Sequence, residues 1–261
     1  MSDPSDVLVK QSAWAAAALN NHHVWGKHGE AASLLWSQKT IGTGSMFSGI
    51  GCAERALASI NAARKPLCEG KILSAEPLWT VECDGKARAA QNDIIPETTC
   101  KFLDIRHFIA KASLDEMDSV KVSAAGKRFK KWTAIAKGAG VCKDAFCSQH
   151  MKQCPIRRPF LDLSGSMCTA WSTMGSGGKE EDANSILLLI WMRYHFANGT
   201  AILVHENVSS FSTCIVADEA CAAGYKHVQI KTNPSDVGVL LGRQRKQLGS
   251  SRETCRTAVS K

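Results

Sequence analysis

The sequence predicts an α/β fold with a doubly wound, mostly parallel sheet, and three observations predict it. Short apolar strand patterns alternate with helical patterns from residue 40 onward. A Gly-rich turn follows the first strand, and acidic residues stand at the ends of the next two. Strand, helix, strand with glycine and acids at strand ends is the pattern of an open parallel sheet with helices on its faces.

Each element follows in order. "TIGTGSMFSGIGCAERALASINAAR" opens with a small apolar strand, followed by a sharp Gly-rich turn at Ser48-Gly49-Ile50-Gly51. A helix follows, with Ala53, Leu57, Ile60 and Ala63 near helical spacing. "EPLWTVE" is a strand ending in Glu82, and Asp84 is placed to cap an Ala-rich helix. "CKFLDIRHF" is a third short strand with Asp104 near its end. Residues 111–158 break the rhythm. "KRFKKWTAIAKGAG" is basic and "VCKDAFCSQHMKQCPIRR" is Cys-rich, so this stretch reads as an insertion or an enlarged crossover. The alternation resumes with a strand in "PFLDLSG", a helix around "ANSILLLIWMRYHFANG" and a strand in "TAILVHENV". A helix in "STCIVADEACAAGY" and a strand in "KHVQIKTN" complete it. Residues 1–39 form a poorly specified N-terminal segment, 40–248 the main domain, and 249–261 a polar tail.

Composition narrows the partners. The chain has 261 residues, 44% of them hydrophobic and 21% charged, with a net charge of +8 and a pI near 9.0. That balance favours a polyanionic partner such as nucleic acid. Lys127 to Lys131 and Arg157-Arg158, with Trp132 among them, offer phosphate contacts or a solvated face. Eleven scattered cysteines, an odd number, come without a secretory leader. The expectation is an intracellular chain with reduced thiols, nuclear in a eukaryote and cytoplasmic in a bacterium. No apolar run reaches membrane-spanning length. His22, His23 and His28 read as solvated. Cys142, Cys147, His150 and Cys154 have zinc-ligand chemistry in the spacing C-x4-C-x2-H-x3-C. That spacing matches no common finger, so the grouping reads as chance and no metal is assigned.

Gly49 and Gly51 let the backbone turn sharply and come close to a ligand at the following helix N-terminus. Glu82 is placed to accept hydrogen bonds from ribose hydroxyls and Asp104 to hold an adenine amino group. Together they describe an adenosine-containing cofactor, without separating a nicotinamide dinucleotide from S-adenosylmethionine. In "DLSGSMCTAWSTMG" one thiol, Cys168, lies in a polar loop just past a strand. Such a site suits a working thiolate better than a structural cysteine, which prefers apolar company. Glu206 lies just past the strand "AILV" and would emerge at the same carboxyl edge, where ligands bind in open α/β sheets.

The ordered set "MFSGIG", "VECDG", "LDIRHF", "DLSGSMCTAWSTMG", "HENV" and "NPSDVGVLLGRQR" resembles the cytosine carbon-5 DNA methyltransferase family. The resemblance runs from about Gly44 to Arg245, interrupted by residues 111–158. It implies a Rossmann-like, S-adenosylmethionine-dependent methyltransferase fold acting on a cytosine flipped out of DNA. It also implies roles: Cys168 as nucleophile, Glu206 as the acid at the base, and Arg243 and Arg245 near base and phosphate. Phe47, Gly49, Ile50 and Gly51 would line the cofactor, with Glu82 on its ribose and Asp104 on its adenine. The chain departs from the family pattern at Met167, where proline is usual, and at Thr169, where glutamine is common. Leu240-Leu241 replace the common Pro-Gln, and only sixteen residues follow Arg245, so the chain reads as stopping before a target-recognition domain. The alternatives are an RNA cytosine methyltransferase and an inactive remnant that binds nucleic acid or cofactor.

Overall fold

The computed structural model describes residues 40–64, 74–121, 127–172 and 175–230. Arg243, Arg245, the three N-terminal histidines and the polar tail lie outside the described residues.

The strands are β1 (Thr40–Met46), β2 (Ser74–Val81), β3 (Cys100–Phe102), β4 (Asp144–Cys147), β5 (Lys152–Pro155), β6 (Leu161–Ser164) and β7 (Ile202–His205). The helices are α1 (Cys52–Arg64), α2 (Gly85–Gln91), α3 (Lys111–Ser119), α4 (Lys127–Gly138), α5 (Ser185–Asn198) and α6 (Cys214–Ala222). All seven strands form one sheet in the order β5-β4-β3-β2-β1-β6-β7. β1, β2, β3, β6 and β7 run parallel, and the β4–β5 hairpin is antiparallel at the β3 edge.

The sheet is doubly wound. Successive side chains of a strand point to opposite faces, and β2 shows both. Thr80 donates to Gln91 Oε1 of α2 at 3.1 Å, whereas Trp79 packs edge-on against Tyr194 of α5, with ring centroids 6.0 Å apart. Helices α2 and α5 therefore cover opposite faces. This seven-stranded, mostly parallel, helix-flanked sheet has the Rossmann-like topology of class I S-adenosylmethionine-dependent methyltransferases. From β1 the chain steps one way to β2 and β3, then returns beyond β1 to β6. The reversal makes the carboxyl ends of β1 and β6 the switch point, where open α/β sheets bind ligands.

Local chemistry explains the irregularities. Pro77 has no N–H to donate, and the β1–β2 register shifts there, pairing Thr43 with Pro77 but Gly44 with Trp79. A side chain on Gly44 would meet the Trp79 ring at 2.6 Å. Trp79, Phe102, Phe108, Trp191 and Tyr194 form the aromatic centre of the core. Their polar tips find buried acceptors, Trp79 Nε1 on Arg157 O at 2.7 Å and Trp191 Nε1 on Asp162 Oδ1 at 2.8 Å. Helix α5 is apolar all round and buries Ile186, Leu188, Leu189, Ile190, Trp191 and Met192. It ends where Gly199 turns left-handed at φ +61°.

Residues 111–158 hold α3, α4 and the hairpin. The basic run forms α4, and the reading of Trp132 as a phosphate-side aromatic is corrected here. Its ring is 2% exposed, its indole N–H bonds Met117 O at 2.8 Å, and Arg128 lies 4.6 Å over it. Lys127, Lys130 and Lys131 remain on the exposed face. The strand expected in "KHVQIKTN" does not form over 226–230. Val228 and Ile230 alternate like strand residues but are 68% and 64% exposed, so no face buries them. The segment instead lines, with Ile202, Val204 and Phe211, a cavity of about 400 Å³ beside β7. No helix among the described residues is long and apolar enough to cross a membrane.

Candidate cofactor and nucleophile cleft

The turn after β1 is left-handed at three positions: Phe47 at φ +57°, Gly49 at +55° and Gly51 at +86°. For Phe47 this conformation costs about 1–2 kcal/mol. Strain of this kind is held where the surroundings over-determine it, and here they do. Ser48 N–H bonds Val81 O at 3.1 Å, and Gln91 donates to Ser48 Oγ at 2.9 Å and Gly49 O at 2.6 Å. Gln91 is fully buried, and its place in an unremarkable helix gave no sequence signal for this role.

Glu82, just past β2, ties the turn to the next loop. Its Oε2 accepts the Gly49 N–H at 2.8 Å and its Oε1 the Asp84 N–H at 2.8 Å. A carboxylate offers about four lone-pair sites, so acceptor capacity is left for a ribose. A side chain on Gly49 would meet nothing within 4 Å, so the turn faces open space. Ile50, 51% exposed, adds an apolar surface at the rim. These residues fit an adenosine-bearing cofactor. Asp84 caps α2 as expected, accepting the Ala87 N–H at 2.8 Å. Asp104, after β3, also does a local job: its Oδ1 accepts the Arg106 N–H at 2.9 Å and caps a 3-10 turn over Ile105–Phe108.

Cys168 is exposed in the loop after β6. Its carbonyl accepts the N–H groups of Trp171 at 2.9 Å and Ser172 at 2.8 Å, starting a helical turn. Glu206 follows β7, which pairs with β6 through Ser164 and His205. A side chain on Gly165 would meet Glu206 Oε2 at 3.2 Å, so the carboxylate lies over the root of the Cys168 loop.

Two residues outside the predicted site set hold that loop through Ser166. His205 Nε2 and Ser166 Oγ are 2.8 Å apart, and Asn207, 1% exposed, donates to Ser166 Oγ at 2.9 Å and Ser166 O at 3.2 Å. Both flank Glu206, in the "HENV" stretch that carried the resemblance. Burial pushes the His205 imidazole down to about 4, against a smaller opposing pull from Asp162, so it is neutral near pH 7. Beneath lies Asp162, fully buried, with Oδ1 bound by Ser164 and Trp191 and Oδ2 3.2 Å from His195 Nε2. Another exposed thiol, Cys83, stands at the same edge, and burial followed by the Glu82 charge holds it above its ordinary value.

The Cys-rich insertion differs from its sequence reading. Cys147, His150 and Cys154 converge, but Cys142 does not join them; its N–H bonds Phe108 O at 2.9 Å. The fourth member is Cys100 of β3.

No family model and no curated protein matches the chain. Among solved structures it is similar to a candidate DNA modification methyltransferase encoded within a prophage of E. coli, at 14% identity and a TM-score of 0.42. The match covers 80% of this chain and 45% of that one, so the chain spans under half the length of that structure. The class is defined by the chain's own topology, the Rossmann-like fold of S-adenosylmethionine-dependent methyltransferases.

Proposed function

We propose that the chain methylates carbon 5 of cytosine in DNA, with S-adenosylmethionine as methyl donor. The observation that carries this reading is the pairing of β6 with β7. It sets the exposed Cys168 loop beside Glu206, at the sheet edge that also bears the Gly49–Glu82 turn. When bound, S-adenosylmethionine supplies an electrophilic methyl group.

The chain's residues do the rest. Cys168, as thiolate, attacks carbon 6 of a flipped cytosine and forms a C–S bond. Glu206 hydrogen-bonds ring nitrogen 3, stabilising the charge pushed into the ring. Carbon 5 becomes nucleophilic and takes the methyl group, leaving S-adenosylhomocysteine; solvent then takes the carbon-5 proton, its electron pair re-forms the 5,6 double bond, and the C–S bond breaks to free the Cys168 thiolate. Phe47, Gly49, Ile50 and Gly51 would line the cofactor, with Glu82 on its ribose and Asp104 on its adenine; Arg243 and Arg245, outside the described residues, would serve the base and phosphate.

DNA carrying 5-fluorocytosine tests this, because fluorine at carbon 5 blocks the final elimination. With S-adenosylmethionine present, a denaturation-resistant complex is expected from the native chain and none from Cys168→Ala. An adduct on RNA but not DNA replaces the substrate. A chain that binds S-adenosylmethionine yet forms no adduct on either overturns the reading in favour of a binding remnant.

A further inference from the structure

We propose that Cys100, Cys147, His150 and Cys154 form a tetrahedral zinc site that fastens the β4–β5 hairpin to β3. Their four donor atoms lie within 4.8 Å of one another. The Nδ1 atom of His150 is 3.7 Å from Cys100 Sγ, 3.4 Å from Cys147 Sγ and 3.5 Å from Cys154 Sγ. Tetrahedral zinc with its usual Zn–S and Zn–N bond lengths separates a sulfur from a nitrogen ligand by about 3.5 Å.

Hydrogen bonding does not explain this arrangement. One ring nitrogen carries at most one proton or one lone pair, yet three sulfurs surround it at nearly equal distance. A shared metal satisfies all four atoms at once. Three thiolates and an imidazole are soft and borderline ligands that select zinc among abundant divalent ions. All four positions come from the protein, which leaves none open for substrate, so the site is structural. The backbone N–H of Lys101 points at Cys147 Sγ from 3.3 Å, the kind of outer-shell contact that orients a thiolate ligand.

The hairpin needs such a fastening. β4 meets β3 through one registered pair, Phe102 with Cys147. Phe146 and Met151 are 37% and 73% exposed, and the side chains the hairpin does bury are the small Ala145, Cys147 and Cys154. Cys100 lies 47 residues before Cys147 in the chain, so the metal would close a long loop and couple its binding energy to folding. Binding makes three Zn–S bonds and one Zn–N bond. It releases the three thiol protons to solvent, with no oxidation or reduction. The inference is independent of the methyl-transfer reading.

The test uses the full chain expressed with added zinc and purified without chelator. Elemental analysis is expected to find about one zinc per chain. Exchange with cobalt(II) is expected to give the visible absorption and sulfur-to-metal charge-transfer bands of a tetrahedral, thiolate-rich site. Cys100→Ser is expected to lose the metal and Cys142→Ser to keep it. If Cys100→Ser does not fold, cobalt exchange and protection of three thiols from alkylation in the native chain carry the test. A zinc-free native chain, a disulfide within the trio, or metal lost with Cys142 and kept without Cys100 would overturn the proposal.

Discussion

The Glu82 carboxylate accepts the Gly49 N–H at 2.8 Å, so an acid after β2 sets the turn after β1. The partners are 33 residues apart and come from adjacent parallel strands. Replacing Glu82 with glutamine keeps the size but turns one acceptor into a donor, which faces the N–H of Gly49 or of Asp84. Hydrogen bonds to a charged group contribute roughly 1.5–3 kcal/mol. S-adenosylmethionine affinity, measured by titration calorimetry, is expected to fall on the order of 10- to 100-fold in Glu82→Gln. Unchanged affinity would remove Glu82 from the cofactor site.

Gly175 controls the shape of the Cys168 loop. A side chain there would lie 1.6 Å from Thr169 O and 2.6 Å from Thr169 C, both backbone atoms. Gly175→Ala must therefore displace the turn that begins at Cys168. The rate at which Cys168 is alkylated is expected to change, and the melting temperature to fall, because Ala170 in the displaced turn is 2% exposed and Trp171 packs on the core. An unaltered alkylation rate would mean that the two segments do not pack this way.

Asn207 is a positioning residue. Its amide holds Ser166 while its Oδ1 takes the Val208 N–H at 2.8 Å. Truncation to alanine strands buried polar groups, at a cost of about 1–3 kcal/mol. For a domain of this size that is a drop of roughly 2–10 °C in Tm, read by thermal unfolding. A neutral Asn207→Ala would show that Ser166 is held by other contacts.

His205 makes stability depend on pH. Its folded value, about 4, lies below the ordinary 6.5, because burial between Trp191 and Phe211 disfavours the cation. The unfolded chain therefore binds more protons between these values, so stability rises with pH there and falls as the solution is acidified. The contribution is complete above pH 6.5, is lost as pH falls toward 4, and is flat below. His205→Gln keeps a partner for Ser166 without this titration. Urea unfolding across that range is expected to show a shallower acid loss in the variant, and equal slopes would assign the loss to other groups.

Much of the fold was legible along the chain. Periodicity marked β1, α1, β2, α2, β3, β6, α5, β7 and α6, because apolar spacing is imposed by local geometry and by the side that must be buried. Asp84 was readable as a helix cap because capping needs only a few residues. Glu82, Asp104, Cys168 and Glu206 were readable as strand-end residues because parallel strands bring their carboxyl ends to one edge.

The rest depended on contacts distant in sequence. Val228 and Ile230 alternate like a strand, but β7 is left unpaired on that side among the described residues. Trp132 looked available to nucleic acid among basic residues, and only the packing of α4 against α3 buried it. Cys142 sits in the sequence cluster, yet Cys100 joins the spatial one, because the hairpin folds back onto β3. The sequence by itself determined the element order and the chemistry at each strand end. Only the tertiary structure decided which distant side chains meet, because pairing and burial join residues that local spacing does not relate.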